Sequence, residues 1–497
     1  MRQAEQIGRR TELREAEVYR PPYGAAGLAA LGVWLLYAVT LAPTTAFWDT
    51  SEYIATAHIL GIPHPPGNPL FVVLARAWEL VLAPTGLSVA VRINLFSATM
   101  GALAHGLWFL TAHRILSFYS ESSRLRLVGA AAAVLISATA FTVWSQSNVN
   151  EKVYTVTLFT IALLTWLVFR WRDRMGEGKD DNLLLLMVFV LALSVGNHLM
   201  AFLAAPALVI FVLLVHPSSL LNWRLYAAGV VAVVIGLSIH MYLPIRAGLD
   251  PIINEADPTC GTVGTALQSI LSMGRTGCES LSDALARRQY DKPGLGVDPT
   301  WYGATPQPRD ASLLFAQLAH YFQYFDWQWA RSVAGLKSWF AAARVPFTAL
   351  FVALGAVGAW THYRRDRISW AYVAALFATL SVGLTFYMNF KYGYTVPEAL
   401  MSRESLGQGY GVMDLREVRE RDYFFIVSFS LWGLWAGIGL AALWQDLTER
   451  LRDEDRRSPE LLAMPIMLIA LIRWWQTGAG RPGRGTGRRA TGRTTCS

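Results

Sequence analysis

Charge is scarce in this sequence: Asp, Glu, Lys and Arg supply only 16% of its 497 residues, where a soluble domain carries about 25%. With 54% of the residues hydrophobic, that shortage excludes most soluble classes. Cysteine is scarcer. Cys260, Cys278 and Cys496 are three, an odd number, and none stands in C-x-x-C spacing, which leaves no cysteine-built zinc or redox motif. A Cys260–Cys278 disulfide stays open if their loop faces an oxidising side. No period repeats along the chain, so a solenoid has no support. Acid is also in deficit: 35 Asp and Glu stand against 43 Lys and Arg, giving +8 and a pI near 9.4. Such a balance suggests nucleic acid in a soluble chain. Here five of the cations, Arg481, Arg484, Arg488, Arg489 and Arg493, sit in an acid-free terminal tail, and removing them leaves +3 for the body. No nucleic-acid partner is expected.

The sequence is rich in apolar runs. They fall at Ala25 to Ala42, Ile93 to Thr111, Leu127 to Val143, Val153 to Phe169, Leu183 to Val195, Leu199 to Val215, Leu225 to Leu243, Val345 to Trp360, Ile368 to Met388, Tyr423 to Trp444 and Leu461 to Trp475. The longest approach the roughly 17 to 25 residues of a membrane-spanning helix. The fold class is therefore an all-α integral membrane protein with a bundle of about 10–11 spans. The first run exceeds the ~7–15 residues of a signal-peptide core and reads as an uncleaved span. Leu70 to Pro84 is apolar but holds Arg76 and Glu79, and counting it as a span would invert everything after it. It reads as a helix lying along the membrane surface.

Cations set the orientation. They cluster in the arm 1–24 (Arg2, Arg9, Arg10, Arg14, Arg20) and in alternate turns at Arg114 to Arg126, Arg170 to Lys179, Arg364 to Arg367 and Arg450 to Arg457. By the positive-inside rule these are cytoplasmic. The opposite loops, 43–92, 144–152, 244–344 and 389–422, then lie outside and hold the chemistry. Keeping this alternation requires Leu183 to Val215 to be two short passes meeting at Gly196-Asn197-His198. The organisation is an arm 1–24, a transmembrane domain 25–444, a segment 445–475 with a last helix, and a basic tail 476–497 too polar to bury a core.

After the first span comes WDTSEYIATAHILGIPHPPGNPL. Asp49 and Glu52 stand three apart at the start of a short helix, so both carboxylates and Thr56 share a face. One reading is a capping box, with Asp49 as N-cap and Glu52 as its partner; the other is a catalytic pair, and the two are compatible. His58 precedes the rigid His64-Pro65-Pro66-Gly67 turn, where His64 is a candidate for phosphate or sugar. In the short second loop, Glu151 and Lys152 open a helix whose dipole favours the acid. His198 stands at the turn between two passes, lining a cavity or bonding between helices. Arg246 lies outside against the charge rule, which leaves anion binding or pairing with Asp250 or Asp257. Leu285 to Tyr290 adds cations, and Tyr321 to Trp329 is an aromatic run suited to a sugar platform or to an interface belt. Arg416, Arg419 and Arg421 suit a lipid-linked phosphate, or pair with Glu417, Glu420 and Asp422.

In order, WDTSEYIATAHILGIPHPPGNPLF, NEKVYTVTLF, GNHLM, YLPIRAGLDPIINEADP, ARRQY and ERDYFF resemble a bacterial membrane-protein family long labelled as of unknown function. That family is related to the animal endoplasmic-reticulum protein O-mannosyltransferase of the GT-C superfamily. The resemblance implies a GT-C-like bundle whose outward loops carry the active site, in the bacterial inner membrane with a cytoplasmic N-terminus. It implies inverting transfer of a sugar, such as mannose, from a polyprenyl-phosphate donor to an acceptor hydroxyl on protein. By the same resemblance Asp49 is the general base, Glu52 supports it, and Glu151 is the second-loop acid. His58, His64, Lys152, His198, Arg246, Arg416 and Arg421 are the candidate substrate-binding residues. No cofactor and no metal ligand is expected, since the lipid-linked sugar is a substrate. Membrane lipid is the other expected partner. The basic tail departs from the family and suggests a truncation or a shifted frame. The competing class is a transporter or flippase, which sets its ionisable residues near the bilayer midplane rather than in outer loops.

Overall fold

The computed structural model describes residues 19–45, 49–149, 153–175, 180–290, 294–301, 303, 305–331, 342–393, 396–401, 411–454 and 456–472. Within them the chain is helical, with isolated β-bridges in place of sheets. α1 (Tyr23–Val39) is the first apolar run, followed by two short helices of the first loop, α2 (Thr50–Ile59) and α3 (Pro69–Val81). Then come α4 (Val89–Ser117), α5 (Ser123–Ala138), α6 (Phe141–Asn148), α7 (Tyr154–Asp173) and α8 (Asp180–Val195). A 3-10 turn at Leu199–Ala204 leads into α9 (Ala205–Val215), and α10 (Trp223–Leu237) runs on through a tight turn into α11 (Tyr242–Ala247).

The long loop carries α12 (Val263–Leu271), α13 (Glu279–Ala286) and α14 (Ala311–Ala330). α15 (Val345–Arg365), α16 (Arg367–Ala378, prolonged through a π-turn into α17, Leu384–Met388), α18 (Ile426–Asp453) and α19 (Pro459–Ala463) complete the order. Six of these helical stretches are long and apolar enough to cross a membrane, or up to seven with α5 and α6 taken as one broken span. The remaining runs read as spans from the sequence fall on shorter apolar helices, 10–17 residues each.

Burial sorts the helices. α4, α7 and α18 are mostly enclosed, whereas α1, α9 and α10 expose leucine and valine faces such as Leu28, Leu31, Leu35, Val230, Val231 and Val234. Apolar faces of that extent suit lipid rather than water. Small residues let the interior helices approach closely. A Cβ on Gly437 of α18 would stand 2.1 Å from Ala133 Cα of α5, and one on Gly439 2.1 Å from the Leu354 carbonyl oxygen of α15.

The bundle has two chemically distinct ends. At one, the turns read as cytoplasmic are tied by ion pairs: Arg114 to Asp173 at 2.7 Å, Arg170 to Asp173 at 3.0 Å, Arg172 to Asp366 at 2.5 Å and Arg124 to Glu460 at 3.4 Å. The other end gathers the first loop, the long loop and the last loop.

Three expectations are corrected. The third run does not continue straight to Val143: it breaks after Ala138, and α6 turns away from α5 by 71°. Gln328 holds the break open, accepting from the Thr142 N–H at 2.8 Å while Thr142 Oγ1 donates to Asp422 at 2.5 Å. The aromatic run Tyr321 to Trp329 is neither a sugar platform nor an interface belt. Tyr321, Tyr324, Phe325, Trp327 and Trp329 are buried in α14, with Tyr321 stacked on Phe429 and Phe325 edge-on to Trp432 of α18. Asp49 is the N-cap of α2 by position only, since its side chain makes no capping hydrogen bond.

The separation of α8 from the Leu199–Ala204 turn at residues 196–198 agrees with two passes. Cys260 and Cys278 are joined by a disulfide. Asn150 to Lys152, the arm before Tyr19 and the chain beyond Ile472, including Trp475 and the basic tail, lie outside the described residues.

Candidate active site

The first loop is built onto the rest by backbone carbonyls and amides more than by charge. Asn68, in a left-handed conformation before Pro69, accepts from the Tyr53 hydroxyl at 2.6 Å and donates to the Asn197 carbonyl. Asn197 in turn donates to Val153 O at 3.0 Å and Thr157 Oγ1 at 3.1 Å, and the Leu70 N–H reaches Gly196 O at 2.9 Å. The HPPGN and GNH segments are thus one hydrogen-bonded unit. A third strand of the chain joins it, because Ile62 pairs with Ile253 and Glu255 through 2.8 and 3.0 Å backbone bonds. Tyr290 docks on the same turn, donating to Pro65 O at 3.0 Å.

Glu52 serves the turn. Its carboxylate accepts the His64 N–H at 2.6 Å and the His64 imidazole Nδ1 at 2.8 Å. Burial raises its pKa, but those two His64 hydrogen bonds and the His64 charge outweigh burial and hold the group below its ordinary value. Glu52 is therefore kept ionised while it fixes His64 in place.

Asp49 and His64 open onto a cavity of about 1460 Å3, by far the larger of the two described. His198, Arg416 and Arg421 line it too, so five of the residues singled out from the sequence share one space. His198 accepts from the Met200 N–H at 3.1 Å and lies against Tyr154 and Phe424. Arg419, left out of the candidate set, reaches Asp49 Oδ2 at 3.1 Å. Arg421 donates to Glu417 at 2.9 Å and lies over Phe390, while Arg416 donates to Gly393 O at 2.8 Å. The segment carrying them is clamped from behind: Glu420 accepts from Tyr324 at 2.8 Å and meets His320 Nε2 at 2.9 Å, and the Arg421 N–H donates to Tyr324 Oη at 2.8 Å. Burial raises the Glu420 pKa, but His320 and Tyr324 more than offset it and hold the carboxyl low.

The lining is of two kinds. Leu199, Phe202, Leu203, Leu384, Phe390 and Phe424 make an apolar wall, joined to Arg421 through Phe390; His64, Tyr290, Arg275, Arg287 and Arg288 make a polar mouth, with Arg275, Arg288 and Tyr290 exposed.

Two candidates are placed elsewhere. His58 turns to Arg76 at 3.1 Å and to Glu79, a buried acid also held by Arg92 at 2.8 Å. Arg246 pairs with neither Asp250 nor Asp257 among its described contacts. Its Nε donates to Leu60 O at 2.8 Å and closes the end of α2, whose last carbonyls need donors. Glu151 and Lys152 lie outside the described residues, although the next two, Val153 and Tyr154, line the cavity. Sequence reasoning missed Asn68 and Asn197 because uncharged polar residues beside Pro and Gly look like ordinary turn formers, and Tyr53 because a tyrosine inside a helix looks like ordinary packing. Among the described residues no group of three or more His, Cys, Asp or Glu is disposed to hold a metal ion.

Residues 49–221 match the family described as the protein O-mannosyl-transferase TMEM260 N-terminal domain, so the match begins at Asp49 and includes His198. The chain is 29% identical over 222 residues to Protein O-mannosyl-transferase TMEM260 of Mus musculus, which covers 43% of this chain and 29% of that protein. It is 25% identical over 232 residues to Protein O-mannosyl-transferase tmem260 of Dictyostelium discoideum, covering 44% and 27%. The chain spans less than a third of the length of these curated relatives.

Proposed function

We propose that the chain is an integral-membrane glycosyltransferase that moves a sugar, mannose in line with the name of its relatives, from a polyprenyl-phosphate donor to a hydroxyl group of a protein acceptor. The observation that carries the reading is one cavity lined by Asp49, Arg419 and Arg421 together with both apolar and polar groups. The relatives' name supports the class of reaction.

The reading assigns the donor's lipid and its phosphate to different parts of the lining. The polyprenyl chain lies along Leu199 to Leu203 and Leu384 to Phe390, and its phosphate meets Arg416 and Arg421. Asp49 takes the proton of the acceptor hydroxyl; that oxygen attacks the anomeric carbon from the face opposite the phosphate. The bond from the anomeric carbon to the phosphate oxygen breaks, and its electron pair leaves with the polyprenyl phosphate, so the configuration inverts. Guanidinium groups suit this step because the leaving phosphate gains negative charge as the bond opens. Arg419, 3.1 Å from Asp49 Oδ2, aims the carboxylate. Glu52 acts through His64, and Glu151 keeps the role of second-loop acid that the family resemblance implies. The reading calls for no cofactor beyond the lipid-linked donor. It sets the protein in the bacterial inner membrane with the arm 1–24 cytoplasmic; the arginine-tied end of the bundle supports that orientation.

The test is the protein reconstituted in vesicles with radiolabelled polyprenyl-phosphate mannose and a Ser/Thr peptide. Label on the peptide with inverted anomeric configuration is expected. Label accumulating inside vesicles with none on peptide contradicts the reading and favours a transporter.

A further inference from the structure

The cations around the cavity are unequal. Arg416, Arg419 and Arg421 are bonded to Gly393, Asp49 and Glu417, Lys391 Nζ donates to Asp414 O at 3.1 Å, and Arg288 pairs with Asp283 at 2.5 Å. Arg287 differs. Half-buried at the mouth, it makes no side-chain hydrogen bond or ion pair to another described residue, and its Nε is buried without an acceptor. A buried donor left unpaired is unfavourable, as is its backbone. Arg287 caps the C-terminus of α13 at φ +57°, ψ +37°, the left-handed region in which a side chain is strained and glycine is the usual occupant. Two local penalties at one residue, both removable by a glycine, mark a side chain held for something outside the protein.

Its surroundings say which substrate it faces. Arg287 is remote from the apolar wall in kind: its charge is felt by the Tyr53 and Tyr290 hydroxyls, whose pKa values burial raises and Arg287 partly lowers. Tyr53 is one turn along α2 from Asp49, and Tyr290 sits on the His64 turn. Both hydroxyls also feel the Asp49 charge, so Arg287 shares its neighbourhood with that carboxylate, and its polar surroundings differ from the apolar ones around Arg421. Arg275, exposed in the turn closed by the Cys260–Cys278 disulfide, adds a second guanidinium to the mouth.

We propose that Arg287, with Arg275, is an acceptor-recognition site for carboxylates, so that the preferred acceptor is an acidic peptide carrying its hydroxyl residue between Asp or Glu side chains. The proposal rests on the reading of the cavity as a glycosyltransferase site, and it concerns the acceptor rather than the donor.

The experiment is equilibrium binding of the detergent-solubilised full chain to two fluorescent peptides, one with glutamates on both sides of a threonine and one with glutamines there. The glutamate peptide should bind about five- to tenfold tighter at low ionic strength, the gain of one or two partly exposed charge-assisted pairs, and the contrast should shrink with salt. Arg287→Gly should abolish most of that contrast while the protein remains at least as stable, because glycine relieves the left-handed cap. Arg287→Lys should retain part of it. Equal binding of the two peptides, or a contrast untouched by Arg287→Gly and Arg275→Gln together, overturns the proposal. So does weakened binding of polyprenyl phosphate with peptide binding unchanged, which would assign Arg287 to the donor. Binding is read without turnover, so absence of any sugar transfer would count against the enzyme reading alone.

Discussion

At the scale of the residue, partnership decides role. Asp49, Glu52 and Glu79 are all carboxylates of the first loop, yet Glu79 is enclosed by Arg76, Arg92 and His58, Glu52 is spent on His64, and Asp49 faces the cavity with Arg419. Spacing predicts a shared face for Asp49 and Glu52, whereas Asp49 lines the cavity and Glu52 turns to His64. It could not reveal that Arg246 and His58 are turned to other partners, because their acceptors are carbonyls or acids fixed only by the tertiary fold. Nor does the alternating run LREVRERDY say which of its three arginines reaches Asp49. The Glu52 arrangement has a pH signature. Its folded pKa is held below the ordinary 4.5, chiefly by His64 acting against burial, so its contribution is fully present above about pH 4.5 and fades as pH falls through the lower folded value. The difference in melting temperature between the wild type and Glu52→Gln should narrow as the pH falls below about 4.5. A difference that instead grows with acid would contradict the assignment.

At the scale of the element, apolar length and charge alternation carried most of the information. They located the six helices long and apolar enough to cross a membrane and the break at residues 196–198, since a straight helix there would have reversed the side of Arg364 to Arg367. They did not locate the 71° bend between α5 and α6. The run LISATAFTVW is continuous in hydropathy, and the polar group that fixes the bend, Gln328, comes from α14, far along the chain. Likewise α14 looked like surface chemistry because aromatic density says nothing of which face is buried. Helix packing gives a sharp expectation: Gly437→Leu must push its side chain into the Ala133 backbone, at a cost of about 1–3 kcal/mol or more. A lower melting temperature in detergent checks it, while Gly27→Leu on open space should have little effect.

At the scale of the whole molecule, the chain is a bundle with one end tied by arginine–aspartate pairs and the other hollowed into a cavity of mixed apolar and polar lining. Orientation can be read directly. In a variant lacking Cys496, cysteines introduced as Gln289→Cys and Glu121→Cys should respond oppositely to a membrane-impermeant thiol reagent on intact cells, with the first labelled and the second protected. The reverse pattern would turn the bundle over and put the cavity in the cytoplasm.

The proposed transfer requires Asp49 to take the acceptor's proton. Sugar transfer by Asp49→Asn, measured in membranes beside donor and peptide binding, is the direct measurement: transfer should fall at least ~100-fold with both binding constants within about twofold of wild type. Transfer at the wild-type rate would contradict it.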